Sequence, residues 1–480
     1  MLDLSDIQGN ILRGYRSFHF ARFLFFGLNS AANGRSFVKD LYDLVTPGEW
    51  REPPPAATNV AFSFEGLRAF GLQFECLASF PSEFQEGMKQ RASLLGDRGD
   101  CGPLKWDEPW RSRNVNILVA CYAKNPERLN ERSDYVKARA QRIGVTELTP
   151  HQDAALLVVD GKRRRVEHFG FEDGLSNPDV EGTPDNGGAG DTGNPDANGV
   201  FRKVPLGEFI LGHRSEGGEV PPMPMPKLLA RNGSFLVVRK LEQHVDEFRQ
   251  FLRQKAAVLS QSLGTHLPAG ITPECFLAAK MLGRWPDGSS LDLYPDKPAC
   301  DTSNKFNYAD DPEGAHCPLG AHTRRVNGRA SLGFGGDILR RRRLIRRGIA
   351  YGDYLPPEQA ADHSRRGIMF LAFNASIRHQ FEFVQQQWIN YGDEFRQGDD
   401  TDPIVGVRYG DGRIVVPHQK FARGANGTGR TVIQGDERTG RAPFLCSEMP
   451  RFVTMKGGEY FFVPSLTALR LLTQGEAVVP

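Results

Sequence analysis

One carboxylate stands apart along this chain. Asp173 lies in Glu167-His168-Phe169-Gly170-Phe171-Glu172-Asp173-Gly174-Leu175-Ser176-Asn177-Pro178, between aromatic residues and a glycine. A carboxylate beside large apolar rings has a tunable proton affinity, so it suits proton transfer as base or acid. Gly170 and Gly174 allow a backbone that side chains forbid, or the close approach of a ligand. The residue types also fit a plainer role, since Asp caps turns and arginines stand near enough to pair with it. Leu156-Leu157-Val158-Val159 reads as a buried strand, Asp160-Gly161 as a hairpin turn, and Lys162 to Arg165 as the return. Asp173 is therefore expected past the end of a hairpin, on a glycine-flanked loop.

Two more clusters carry chemistry. Cys317-Pro318-Leu319-Gly320-Ala321-His322-Thr323-Arg324-Arg325-Val326-Asn327-Gly328-Arg329 sets one histidine among basic residues. Imidazole is a common metal ligand, although most of the 11 histidines should serve the surface or the core. Leu344-Ile345-Arg346-Arg347-Gly348-Ile349-Ala350-Tyr351-Gly352 follows the basic run Arg340 to Arg343. Basic runs bind phosphate non-specifically. This one is short and lacks interleaved aromatics, and the net charge is only +2. Nucleic acid is thus not an expected partner, and Arg340 to Arg343 read as a solvated face.

Together these segments resemble the dye-decolorizing peroxidases, a family of haem enzymes. Gly170 to Gly174 is similar to the family's GxxDG signature. The His322 segment resembles CPxxAHxRxxNPR, with Gly328 where many members have Pro, and the Arg346 segment resembles RRGIPYG, with Ala350 in place of Pro. The opening Asp6 to Tyr15 resembles DIQGNILRGY, and Gly207 to Gly212, Arg231 to Phe235 and Gly283 to Gly288 also match. The likeness runs from Asp6 to about Phe383 and more thinly to the end. Length and spacing look most like the larger, fungal-type branch.

The resemblance implies a haem b peroxidase. Hydrogen peroxide would oxidise dyes, phenols and other aromatic donors, small or bulky, through an oxidised ferryl haem intermediate. A haem-binding or haem-handling protein with little turnover is the alternative. His322 would be the proximal iron ligand, with Asp173 and Arg346 on the distal side. Asp402 is the expected carboxylate partner of His322, with Glu382 and Glu394 competing. Leu371 and Phe373, on one face of a strand, would wall the distal pocket, though plain core packing would look the same. Arg324, Asn327 and Arg329 would hold the haem propionates, unless Arg329 faces solvent. Trp388 and Tyr391, carried outward along a helix, would pass electrons to bulky dyes at the surface, unless Trp388 simply covers apolar surface.

These residues must be positioned by a chain too long for one simple core. Strands are expected over Phe18–Phe26, Asn59–Phe64, Val115–Tyr122, Ser234–Arg239 and Gly367–Phe373. Helices are expected over Ser36–Leu44, from about Glu65, and over Pro126–Ile143, Gln243–Gln261 and Ser376–Trp388. Glu181–Val200 holds repeated Gly, Asp, Asn and Pro, which places a loop and a domain boundary there. The fold class is α+β, read as residues 1–200 and 201–480. The resemblance adds that these are two related ferredoxin-like domains, with antiparallel sheets and peripheral helices and haem mainly in the second. Seven dispersed cysteines with no C-x-x-C suggest neither a disulfide framework nor a zinc site. No leader, twin-arginine signal or membrane span is legible, so a cytoplasmic protein with no membrane partner is expected. The sequence leaves monomer and dimer both open.

Overall fold

The computed structural model describes residues 2–183, 202–263, 267–333, 336–408 and 429–474. The strands are β1 (Phe20–Gly27), β2 (Ala56–Phe62), β3 (Ile117–Ala123), β4 (Thr146–Ala155), β5 (Leu157–Val159), β6 (Lys162–Arg164) and β7 (Ser234–Gln243). They continue with β8 (Ile345–Arg346), β9 (Ile349–Tyr351), β10 (Gly367–Asn374), β11 (Gly429–Ile433), β12 (Phe444–Met449) and β13 (Val453–Val463). Most of the expected Gly/Asp-rich boundary, 184–201, lies outside the described residues.

The main sheet runs β4-β1-β3-β2-β13-β7-β10-β8, with β9 also pairing β10. Its ladders are antiparallel. In the first half the order is fourth, first, third, second strand. The second half repeats it, with β13 fourth, β7 first, β10 third, and β8 and β9 sharing the second place. This is the ferredoxin-like order on both sides, and the chain is α+β as expected. The halves join through one backbone pairing, Phe462 with Phe62, so the seam rests on packing more than on ladder bonds.

The short strands β8, β9, β11 and β12 are not expected from the sequence, and neither are two long ones, β4 and β13. β4 is a polar edge strand containing Pro150, and its register against β1 slips between Phe23 and Phe25. β13 carries Gly457 at a bulge between Met455 and Gly457. There φ is +151°, and a Cβ would stand 2.2 Å from the Trp110 ring, so only glycine fits. By contrast the helix Pro126–Ile143 lies where the pattern put it. Asn125 caps Arg128 N–H, Pro126 opens the helix and Gly144 closes it in the left-handed region. Leu129, Ser133, Val136 and Ala140 form its one buried face.

The β5–β6 hairpin turns at Asp160 and Gly161, both at positive φ, which is the I′ turn their sequence called for. Its return strand leads straight into the Glu167–Asp173 loop. A second apolar cluster, beside the helices Val245–Leu263 and Pro273–Leu282, includes Phe171, Ala321 and Ile404. It therefore anchors the loops that carry Asp173, His322 and Asp402 to one body.

Candidate active site

A cavity of about 530 Å³ opens between these loops and is lined from both halves. His322 is the first residue of the short helix His322–Val326 and lines the cavity. Two buried arginines pin that turn. Arg325 donates to the carbonyls of Gly320 (3.1 Å), Trp388 (2.9 Å) and Asp400 (2.8 Å). Arg324 binds Asp311 Oδ2 (2.9 Å) and the Cys317 carbonyl (2.6 Å).

His322 Nδ1 stands 2.9 Å from Asp402 Oδ2. Asp402 is fully buried, and its Oδ1 accepts the N–H groups of Ile404 (2.8 Å) and Val405 (2.9 Å). Burial pushes this carboxyl up, but His322 beside it, Arg325 and the Val405 N–H together hold it below the usual carboxylate range. An ionised carboxylate only accepts, so Nδ1 donates its proton to Asp402 and Nε2 is the ring nitrogen left for a metal. Glu382 and Glu394, the competing partners, are engaged elsewhere. Glu382 binds Arg91 (2.5 and 2.6 Å) and Tyr460, and Glu394 accepts the Trp388 indole N–H.

Asp173 and Arg346 also line the cavity and face each other, Nη1 to Oδ1, at 3.8 Å. Their side chains are 37% and 34% exposed. The loop holds Asp173 by its backbone, with its N–H on the Arg165 carbonyl (2.8 Å) and its Oδ1 on Gly174 N–H (2.6 Å). Arg346 belongs to β8, and its N–H donates to Asn177 Oδ1 (2.7 Å). Beneath the loop, Glu167 accepts from Phe169 N–H and Phe171 N–H (2.9 Å each) and from Gln243 Nε2 (2.5 Å). Burial drives the Glu167 carboxyl up to about 7. Sequence reasoning quoted Glu167 without assigning it, although backbone donors two and four residues on are a recognisable carboxylate cradle.

The other expected site residues divide. Asn327 and Arg329 line the cavity. Arg329 is 3% exposed and donates to the carbonyls of Asn304 and Phe306. Arg324 does not reach the cavity. It is wholly buried, its guanidinium spent on Asp311, Cys317 and Ser331, so it has nothing left for a propionate. Leu371 and Phe373 are also misplaced by the sequence reading. Both are fully buried in the core, while Ile368 and Phe370 face the cavity. Faces alternate along a strand, so choosing the wrong parity puts the residues behind the sheet.

Arg340 to Arg343 are a solvated face only in part: Arg341 is exposed, but Arg340 and Arg343 are buried. Arg340 is 3% exposed and binds Glu216 and two backbone carbonyls. Arg343 is 6% exposed and lines the cavity, its Nε buried without a partner. Sequence reasoning missed Arg343 because a run of four arginines does not say which one turns inward.

Trp388 is 2% exposed, in π-helical turns Arg378–Glu382 and Val384–Ile389 rather than on an outward α-helix. It is therefore no surface residue, whereas Tyr391, three positions on, is 38% exposed. Among the described residues no helix is long and apolar enough to cross a membrane.

Comparison with known proteins follows the same lines. The profile described as the DyP dimeric alpha+beta barrel domain matches residues 6–152. The dye-decolorizing peroxidase of Mycena epipterygia is 32% identical, over 98% of this chain and 86% of its own. Dye-decolorizing peroxidase msp1 of Mycetinis scorodonius is 30% identical, over 98% of this chain and 87% of its own. An ancestral D-type dye-decolorizing peroxidase structure superposes with a TM-score of 0.77 at 28% identity, covering 98% of each chain. A dye-decolorizing peroxidase in complex with 2,6-dimethoxyphenol gives 0.76 at 25% identity, covering all of both chains.

Proposed function

From a chain that belongs to the dye-decolorizing peroxidase family, we propose a haem peroxidase in which His322 ligates the iron and Asp173 and Arg346 work opposite it. One observation carries the residue assignment. A histidine whose Nδ1 is engaged by a buried carboxylate, which leaves Nε2 as the nitrogen available to a metal, shares a cavity with a carboxylate–guanidinium pair.

The residues present fit haem. The cavity is large and mostly apolar, and the buried Arg343 Nε has no partner among the described residues. An acidic propionate would satisfy it, with Arg329 and Asn327 beside it. When bound, haem supplies the iron at which the peroxide O–O bond breaks and the store of oxidising equivalents. Haem b is the type inferred, because no C-x-x-C is present for covalent attachment.

His322 would hold the metal through Nε2, and Asp402, accepting from its Nδ1, would strengthen Nε2 as a donor. Asp173 takes the proton from one peroxide oxygen and returns it to the other, which makes the second a better leaving group. Arg346 sets fixed positive charge where the departing oxygen becomes negative. Ile368 and Phe370 keep this side apolar, which strengthens both effects.

Small phenols, such as the one bound by the relative above, would be oxidised along with bulky dyes. For dyes too large to enter, electrons would leave through buried Trp388 to exposed Tyr391, whose backbones Arg325 ties together. We infer that the chain divides near residue 200, with haem held mainly by the second half. All seven cysteines are unpaired, which supports a reducing, cytoplasmic setting.

The test is a spectrum of the haem-loaded protein before and after one equivalent of peroxide, followed by stopped-flow mixing. Wild type should react and then oxidise a phenol. Asp173→Asn and Arg346→Leu should each slow the peroxide step about 10²–10⁴-fold. Haem absorbance with no peroxide reaction would favour a haem-handling protein, and wild-type rates in both variants would refute the distal assignment.

A further inference from the structure

Arg346 and Arg347 are consecutive on a strand edge, so their side chains leave in opposite directions. Arg346 meets Asp173. Arg347 instead donates Nε to the Asn10 carbonyl and Nη2 to the Ile11 carbonyl, both 3.0 Å. Asn10, Tyr15, Phe18, Tyr122 and Arg165 line the cavity together with Arg347, as does exposed Arg16, and this set of residues is termed the lobe.

The lobe holds the guanidinium groups of Arg165 and Arg347. Neither Arg165 nor Arg347 has a carboxylate within ion-pair distance among the described residues. Asp173, whose N–H is on the Arg165 carbonyl, is the acidic group that Arg165 senses. Burial pulls Arg347 down to about 10; Tyr15 and Tyr122 oppose this, and Arg16 and Arg165 add to it. Two further polar atoms are buried with no partner, the Tyr122 hydroxyl and Asn10 Oδ1, on side chains 6% and 3% exposed. Leaving such groups unsatisfied when buried is destabilising, so a ligand that satisfied them would recover that loss. The walls are aromatic: the Tyr15 ring lies 4.9 Å from Tyr122 and 5.3 Å from Phe18.

We propose that this lobe binds a small aromatic carboxylate, its anionic end on Arg165, Arg347 and the Tyr122 hydroxyl, its ring against Tyr15 and Phe18. The guanidiniums and the phenol supply charge-assisted hydrogen bonds, and the Asn10 amide can present either end to a ring substituent. Arg165 holds the Asp173 N–H through its carbonyl, which places the site next to Asp173, and binding there needs no turnover.

Sodium benzoate is the probe, titrated calorimetrically into haem-loaded protein with and without saturating cyanide on the iron. One benzoate should bind per chain in both cases, with neutral benzamide at least about tenfold weaker. Arg165→Leu should weaken benzoate about 10–100-fold with haem retained. Tyr122→Phe, which removes one oxygen and keeps the ring, should weaken it about three- to tenfold. Displacement of benzoate by cyanide, equal binding of benzamide, or wild-type affinity in both variants would overturn the site. Loss of haem from Arg165→Leu would also overturn it, since the lobe would then seat the haem's own carboxylates.

Discussion

Replacing Asp402 by asparagine removes one charge and almost no volume. The remaining oxygen can still accept from Ile404 and Val405, as Oδ1 does now at 2.8 and 2.9 Å. What changes is the 2.9 Å contact with His322. An amide NH₂ there meets the Nδ1 proton donor to donor, so the imidazole must either break the contact or move its proton to Nε2, the atom needed for iron. Loss of such a carboxylate partner typically costs 10–100-fold in metal affinity, or about 1.4–2.8 kcal/mol. The loss falls mainly on ferric iron, which depends more on a strong donor. The reduction potential should therefore rise by about 60–120 mV, at 59 mV per tenfold.

Haemin titration of the apoprotein reads the affinity, and spectroelectrochemistry reads the potential. The acid limb gives a third readout. Asp402 has its folded pKa below the unfolded value, so its stabilisation is complete above about pH 4 and fades as pH falls through the depressed value. Asp402→Asn should flatten that limb. Unchanged affinity together with an unchanged potential would refute the argument that Asp402 governs His322.

Three other outcomes follow. Phe370→Ala should speed cyanide binding by opening the cavity, whereas Phe373→Ala should cost about 3–5 kcal/mol of stability with the cyanide rate unchanged; the reverse pattern would restore the sequence-based assignment. Glu167 has its folded pKa raised to about 7, so its stabilising protonated form is fully present below about pH 4.5 and lost as pH rises through 7. Glu167→Gln should remove up to about 3 kcal/mol of that pH dependence in urea unfolding at pH 5 and 8, and an identical slope would exclude burial as its cause. The double variant Trp388→Phe, Tyr391→Phe should keep the peroxide step and small-phenol oxidation while losing large-dye turnover; equal activity on both sizes would point to direct access at the cavity.

Much of the site was legible because short-range chemistry places it. Gly170 and Gly174 sit at positive φ around Asp173, and Asp160-Gly161 makes the hairpin turn that delivers the loop. The helix Pro126–Ile143 carries its own start and stop. Resemblance to family motifs pointed to His322 and Arg346, and a carboxylate partner for His322 was sought among three acids. Within each segment, local propensity and the tertiary fold agreed, which is when sequence alone suffices.

Tertiary structure decided the rest. Asp402, rather than Glu382 or Glu394, meets His322 because the other two are claimed by Arg91 and Trp388, partners distant or unpredictable in sequence. Which arginine of Arg340–Arg343 turns inward, and which parity of β10 faces the cavity, depend on packing against other elements. So does the architecture itself. β4 is polar and β13 is broken by Gly457, so neither announces a strand, yet each is the fourth strand of its half. A strand's identity there comes from the neighbour whose hydrogen bonds it completes, and that neighbour is supplied only when the chain folds.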